Sequence, residues 1–160
     1  YDINSAEMKE KIYDRLKRLK NPQNFIFEIV ESEELQDFDV VFDFVKTVGS
    51  YGIKIAIDDF GSGYSNLVDI AKLEPDFIKI DGEIIRKINV SNIHRTIAET
   101  TVHMADKFGI ELIAEYVENL ELQDTILDLK VEYSQGYLFS KPMPFDEIDG
   151  YLKSFPVSGE

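Results

Sequence analysis

The sequence predicts an α/β fold with parallel strands, and three observations carry the prediction. After an opening helix, short apolar strand patterns alternate with helical ones along the chain. Polar residues fall at or near the C-terminal ends of successive strands, at Glu28, Asp58, Lys79, Glu115 and Gln135, and none falls at a strand start. Parallel strands bring such ends to one rim, which is where a (β/α) barrel builds its active site. The third observation is the stretch from Ile53 to Asn66, IKIAIDDFGSGYSN, in which an apolar strand stops at two adjacent carboxylates and enters a glycine-bearing loop.

Each element has its own warrant. Met8, Ile12, Leu16 and Leu19 recur at helical spacing; Asn4 is positioned to cap this helix, with Glu7 three residues on completing a capping-box pattern, and Asn21-Pro22 ends it. Phe25 to Glu31 is the first strand. Its interior Glu28 is costly when ionised unless it is paired, metal-bound or facing water on a half-exposed sheet. Residues 36–48 form a helix with Phe38, Val41, Phe42, Val45 and Val48 as its apolar stripe, closed by Gly49 and Gly52. In the second strand Ile53, Ile55 and Ile57 share one face and Asp58 takes the other, so alternation points Asp59 the opposite way from Asp58.

A short helix follows around Leu67, Ile70 and Ala71 and breaks near Pro75. Phe77 to Asp81 is the third strand, with Lys79 and Asp81 on one face. Residues 91–108 read as a helix burying Ile93, Ile97, Val102, Met104, Ala105 and Phe108, with Gly109 as its stop. His94 and His103 lie in it without the i, i+4 spacing of a ligand pair, and surface or packing roles are expected for both. Ile110 to Glu115 is the fourth strand, a helix runs from about 119 to 130, Val131 to Phe139 is an apolar stretch broken at Gly136, and residues 145–153 make a last short helix.

Composition narrows the chemistry. A length of 160 residues at 44% hydrophobic content suffices for one domain with a core. The net charge of -14, with no basic block, argues against DNA or RNA polymers as partners and means that an anionic ligand needs a cation to bring it in. Without cysteine there are no disulfides, thiolate metal sites or cysteine nucleophiles. No apolar run of the roughly 20 residues that span a bilayer is present, so a cytoplasmic domain with no direct membrane insertion is expected. Adjacent carboxylates at a strand end repel one another unless a cation lies between them, and magnesium or manganese takes oxygen ligands of this kind. The competing reading of Asp58-Asp59 is a turn or cap pair. Lys79 beside carboxylates is held charged, able to bind a phosphate or polarise a water; the alternative is a structural ion pair with Asp81 or Glu28.

The motifs resemble those of the EAL-domain cyclic di-GMP phosphodiesterases. Asp58 to Leu67, DDFGSGYSNL, is similar to the family's DDFGTGYSSL, and FEIVES from Phe27, IKID from Ile78, AEYVE from Ala114 and QGYLFSKP from Gln135 follow in family order. The resemblance implies a modified TIM-type barrel that hydrolyses cyclic di-GMP to pGpG with two divalent cations, Mg2+ or Mn2+. It implies that Glu28 and Asp58 bind one metal, Asp58 and Asp59 the other, that Lys79 orients or helps activate the attacking water, and that Glu115 and Gln135 complete the shell. It gives Glu31 the task of anchoring loop 60–67, whose Phe60, Gly61, Ser62, Gly63 and Tyr64 swing over the metals and help form a homodimer contact.

Three departures accompany it. The Glu-Ala-Leu segment is nowhere in the sequence, and neither is the asparagine ligand of the next strand, since only a helix separates Asn4 from Glu28. Residues 1–160 are therefore expected to be the C-terminal two-thirds of the barrel, incomplete at the N-terminus and inactive alone. Tyr116 stands where the family usually has glycine, beside Glu115. A non-catalytic EAL-like receptor for cyclic di-GMP, or a protein-interaction scaffold, is the competing reading, and a lyase with Lys79 as Schiff base is a third.

Overall fold

Helix α1 (Ala6–Leu16) leads through a 3-10 turn (Pro22–Asn24) into strand β1 (Ile26–Val30), after which strands and helices alternate. They are α2 (Phe38–Ser50), β2 (Lys54–Phe60), α3 (Leu67–Leu73), β3 (Phe77–Ile80), α4 (Gly82–Lys87), α5 (Asn92–Phe108), β4 (Glu111–Ala114), α6 (Leu120–Asp128), β5 (Tyr133–Ser134) and, past a 3-10 turn (Phe145–Glu147), α7 (Ile148–Ser154). The computed structural model describes residues 5–30, 38–62 and 67–154. Asn4, Glu31, Gly63 and Tyr64, each singled out in the sequence, lie outside the described residues.

The five strands form one sheet in the order β1-β2-β3-β4-β5, every neighbouring pair parallel. Sequential parallel order with helical crossovers is the (β/α)-barrel arrangement the alternation predicts. Among the described residues β1 and β5 are the two edges. The helix-facing side carries the core: Ile55 and Ile57 of β2, Ile78 and Ile80 of β3, and Leu112 and Ala114 of β4 pack with Val45, Val48, Ile85, Ala98 and Ile126 from the helices. Strand alternation sends Glu28, Asp58 and Lys79 to the other side.

Several elements differ from their sequence-based expectation. The α1 cap among the described residues is Ser5, whose hydroxyl accepts from the Met8 amide at 3.3 Å. Helix α2 runs through Gly49 to Ser50 and the chain reverses at Gly52, with φ 87°. Helix α4 was not expected. Asp81 starts it by accepting from the Glu83 amide at 2.8 Å, so Asp81 is a helix cap and not a partner of Lys79. Helix α5 keeps most of its expected stripe inward, with Ala105 buried and Ile97, Val102 and Met104 packed against the core, and adds Ala98 and Thr101, whereas Ile93 and Phe108 at its two ends are exposed. Small residues let this helix lie close to α4 and β4, a tertiary preference that overrides hydrophobicity alone. Gly109 ends it at φ 70°, as expected of a left-handed cap.

Candidate active site

The site begins with an irregularity in β2. Ile57 pairs with Ile78 and Phe60 with Ile80, so three steps along β2 face two along β3, a β-bulge. Asp59 sits in the bulge with φ 55°, a left-handed conformation that aspartate tolerates better than most residues. Alternation alone points Asp59 away from Asp58. The bulge cancels that half-period, and Asp58, Asp59 and Glu115 each offer a carboxylate oxygen within 4.8 Å of the others. Beyond Phe60, itself buried, the Ser62 amide donates to the Asp59 carbonyl at 3.2 Å and Gly61 takes φ 92° to close the turn.

Lys79 supplies the counter-charge. Its side chain is buried, and Nζ lies 2.7 Å from Asp58 Oδ1, 3.0 Å from Glu115 Oε1 and 3.3 Å from Glu28 Oε1. Burial by itself lowers a lysine pKa, yet the hydrogen bonds to Asp58 and Glu115 outweigh it and hold Lys79 well above the ordinary lysine value. Such a lysine stays an ammonium, which removes the basis for a Schiff-base nucleophile. The carboxylates remain in excess. Burial raises the pKa of Asp59, with the negative charges of Asp58 and Asp81 adding to it, and burial likewise raises that of Glu115 despite its bond to Lys79.

The remaining sequence candidates are placed unequally. Glu28 sits at the centre of β1, two residues before the Val30–Asp58 pair, and is about half-exposed; it reaches the group through Lys79. Gln135 follows β5 directly. Its backbone is fixed by donating to the Ala114 carbonyl at 2.8 Å and accepting from the Val117 amide at 3.0 Å, while the side chain is exposed.

The supporting roles of Gly136, Gly82 and Arg86 escaped sequence reasoning. A Cβ on Gly136 would meet the Val117 carbonyl oxygen at 2.3 Å and the Val117 nitrogen at 2.4 Å, so only glycine lets the strand carrying Gln135 close on the one carrying Glu115. Tyr116 has φ 53°, and its ring lies over Gly82, where an added Cβ would stand 2.1 Å from Cδ2. Arg86, one turn further along α4, stacks on that ring at 4.6 Å from its centroid. The glycines at 82 and 136 were visible signals, but nothing in the sequence states which backbone approaches them.

Among the described residues, four carboxylates, Glu28, Asp58, Asp59 and Glu115, gather about the Lys79 ammonium, and all offer oxygen ligands. That donor set and its excess of negative charge fit magnesium or manganese. No helix among the described residues is long and apolar enough to cross a membrane.

Fold and site together define a carboxylate-rich rim on a parallel (β/α) sheet. The sequence pattern of the EAL domain matches residues 2–142, and the chain belongs to that family, whose barrel-type fold it shares. It is 38% identical over 145 residues to the cyclic di-GMP phosphodiesterase PdeA of Borreliella burgdorferi, covering 90% of this chain and 22% of that protein. Against the cyclic di-GMP phosphodiesterase PdeF of Escherichia coli it is 37% identical over 119 residues, covering 74% and 16%. The chain thus spans about a fifth of the length of these relatives. Among solved structures it resembles Klebsiella pneumoniae BlrP1 in a manganese and cyclic di-GMP complex, at TM-score 0.76 and 34% identity over 86% of this chain and 36% of that one. It also resembles the PaMucR phosphodiesterase bound to c-di-GMP, at TM-score 0.84 and 27% identity over 91% and 60%.

Proposed function

We propose that this chain carries the catalytic centre of a metal-dependent phosphodiesterase that hydrolyses cyclic di-GMP to pGpG. The observation that carries the reading is the convergence of Asp58, Asp59 and Glu115 around the Lys79 ammonium, in a family whose relatives are named for this activity. In this reading Glu28, Asp58, Asp59 and Glu115 would hold the cations, and Gln135 would help hold their water. Magnesium or manganese, when bound, supplies Lewis-acid charge to the phosphodiester oxygens and a nucleophilic water near neutral pH.

The chain's own residues do the rest. Asp58, Asp59 and Glu115 present preorganised oxygens on the rigid ends of β2 and β4. Lys79, held protonated, would orient the attacking water with the N–H now directed at half-exposed Glu28 across the longest of its three contacts, 3.3 Å; it does not accept the water's proton. The net step replaces one P–O3′ bond by a bond from phosphorus to the water oxygen; one water proton ends on O3′, giving the free 3′-hydroxyl, and the other stays on or ionises from the new 5′-phosphate. The cations also draw a dianionic substrate to a protein of charge -14.

Tyr116 does not block this arrangement, because its ring packs on Gly82 while Glu115 keeps its 3.0 Å bond to Lys79. A homodimer and a cytoplasmic setting belong to the reading on the strength of the family resemblance; sedimentation velocity and cell fractionation test them. The primary experiment follows conversion of cyclic di-GMP to pGpG, with magnesium and then manganese, by this chain and by the protein at its full natural length. Turnover establishes the enzyme. Binding without turnover in both selects the receptor.

A further inference from the structure

Tyr116 is a bulky residue in a left-handed conformation, φ 53°, immediately after Glu115. Such backbone is strained and persists only where the surroundings hold it. Here they do: Gly82 has no Cβ and so leaves room for the ring, and Arg86 lies over the ring 4.6 Å from its centroid. The residue as a whole is still 53% exposed.

A guanidinium stacked on an aromatic face is covered on its face but keeps its in-plane N–H fork available. Among the described residues no carboxylate lies within ion-pair distance of Arg86, although Asp58, Asp59 and Glu115 crowd the neighbouring rim and α4 carries Glu83. Glu83 is taken by Lys87. Arg86 adds only a longer-range attraction to Glu83, so with Tyr116 it forms a preoriented donor fork without an ion-pair partner among the described residues.

We propose that Tyr116 and Arg86 set base specificity, Arg86 directing its fork at the O6 and N7 acceptors of one guanine while Tyr116 holds the guanidinium in plane. This rests on the reading that the site takes cyclic di-GMP. The phosphodiester belongs at the cation-binding carboxylates, which leaves the bases to project over the rim where this pair stands. Guanine offers two acceptors on that edge, whereas adenine pairs its N7 acceptor with an amino donor that an arginine fork cannot serve.

The test compares kcat/KM and the dissociation constant for cyclic di-GMP and cyclic di-AMP, with manganese, on the full-length protein and its Arg86→Gln, Arg86→Lys and Tyr116→Gly variants, each checked for an unchanged melting profile. Arg86→Gln is expected to lower the preference for cyclic di-GMP about tenfold, since glutamine suits adenine's edge. Arg86→Lys keeps the charge but loses the fork, and Tyr116→Gly loses the support; both are expected to lower the same preference. Parallel weakening of both nucleotides with an unchanged ratio assigns Arg86 to a phosphate and overturns the proposal, as does a ratio that none of the variants moves. Failure of the unsubstituted protein to bind cyclic di-GMP at all overturns the underlying reading and this assignment with it.

Discussion

Replacing Lys79 by methionine separates the two roles that a buried ammonium can play among carboxylates. Methionine keeps most of the aliphatic volume, so what is lost is the charge. Asp58 at 2.7 Å and Glu115 at 3.0 Å then lose their counter-ion while remaining largely buried; Glu28 is about half-exposed and is discounted for solvent screening. Removing one partner of a buried pair costs about 3–5 kcal/mol, and the lower figure is expected here because the stranded carboxylates can take up a proton. For a domain of this size about 3 kcal/mol corresponds to a fall of roughly 6–12 °C in melting temperature.

The assay is thermal and urea unfolding of both proteins, followed by circular dichroism, in EDTA and in manganese. A divalent cation replaces the missing charge, so the deficit seen in EDTA should shrink to about 1 kcal/mol or less in saturating manganese. It should also shrink in acid, where the carboxylates protonate. On the alkaline side the sign is fixed by the raised Lys79 pKa: its contribution is complete below the unfolded value of about 10.4 and is lost only as pH rises through the folded one. A deficit in EDTA below about 1 kcal/mol, or one that manganese leaves unchanged, refutes the view that Lys79 neutralises a cation site.

Other perturbations probe the same centre. Asp58→Ala is expected to abolish divalent-metal binding measured by calorimetry, and full binding in that variant rejects Asp58 as a metal ligand. The raised pKa values of Asp59 and Glu115 mean that their protonated forms favour the metal-free fold: that contribution is present below the unfolded carboxylate values and lost as pH rises through the folded ones. Metal restores stability in that upper range, so manganese should raise the melting temperature more at neutral pH than in mild acid, and an equal rise at both contradicts the cluster as the site. Gly136→Ala places a Cβ against the Val117 backbone and should cost about 3 kcal/mol or more, since no side chain can move aside to admit it; a near-neutral urea midpoint argues against the closure described here. Glu31→Ala should leave metal affinity unchanged and speed amide exchange across residues 60–67, and unaltered exchange rejects the anchoring role.

The distribution of what was legible in the sequence follows from which interactions are local. Strand-helix alternation and the strand-end positions of Asp58, Lys79 and Glu115 are properties of short windows, and the structure keeps them. The facing of Asp59 was not legible, because period-two alternation holds only while φ stays extended, and the left-handed Asp59 and the β2–β3 register shift are one tertiary event. Helix α4 was missed for a related reason: Asp81 looked like an ion-pair partner on a strand, whereas the strand ends at Ile80 and Asp81 spends its carboxylate on the Glu83 amide. The same logic links Tyr116 to Gly82. A large side chain at a left-handed position is a liability that only a distant vacancy can accommodate, and Gly82 provides one across the rim. The two residues therefore have to be read as a pair, and substituting Gly82 with alanine should disturb Tyr116 before it disturbs α4.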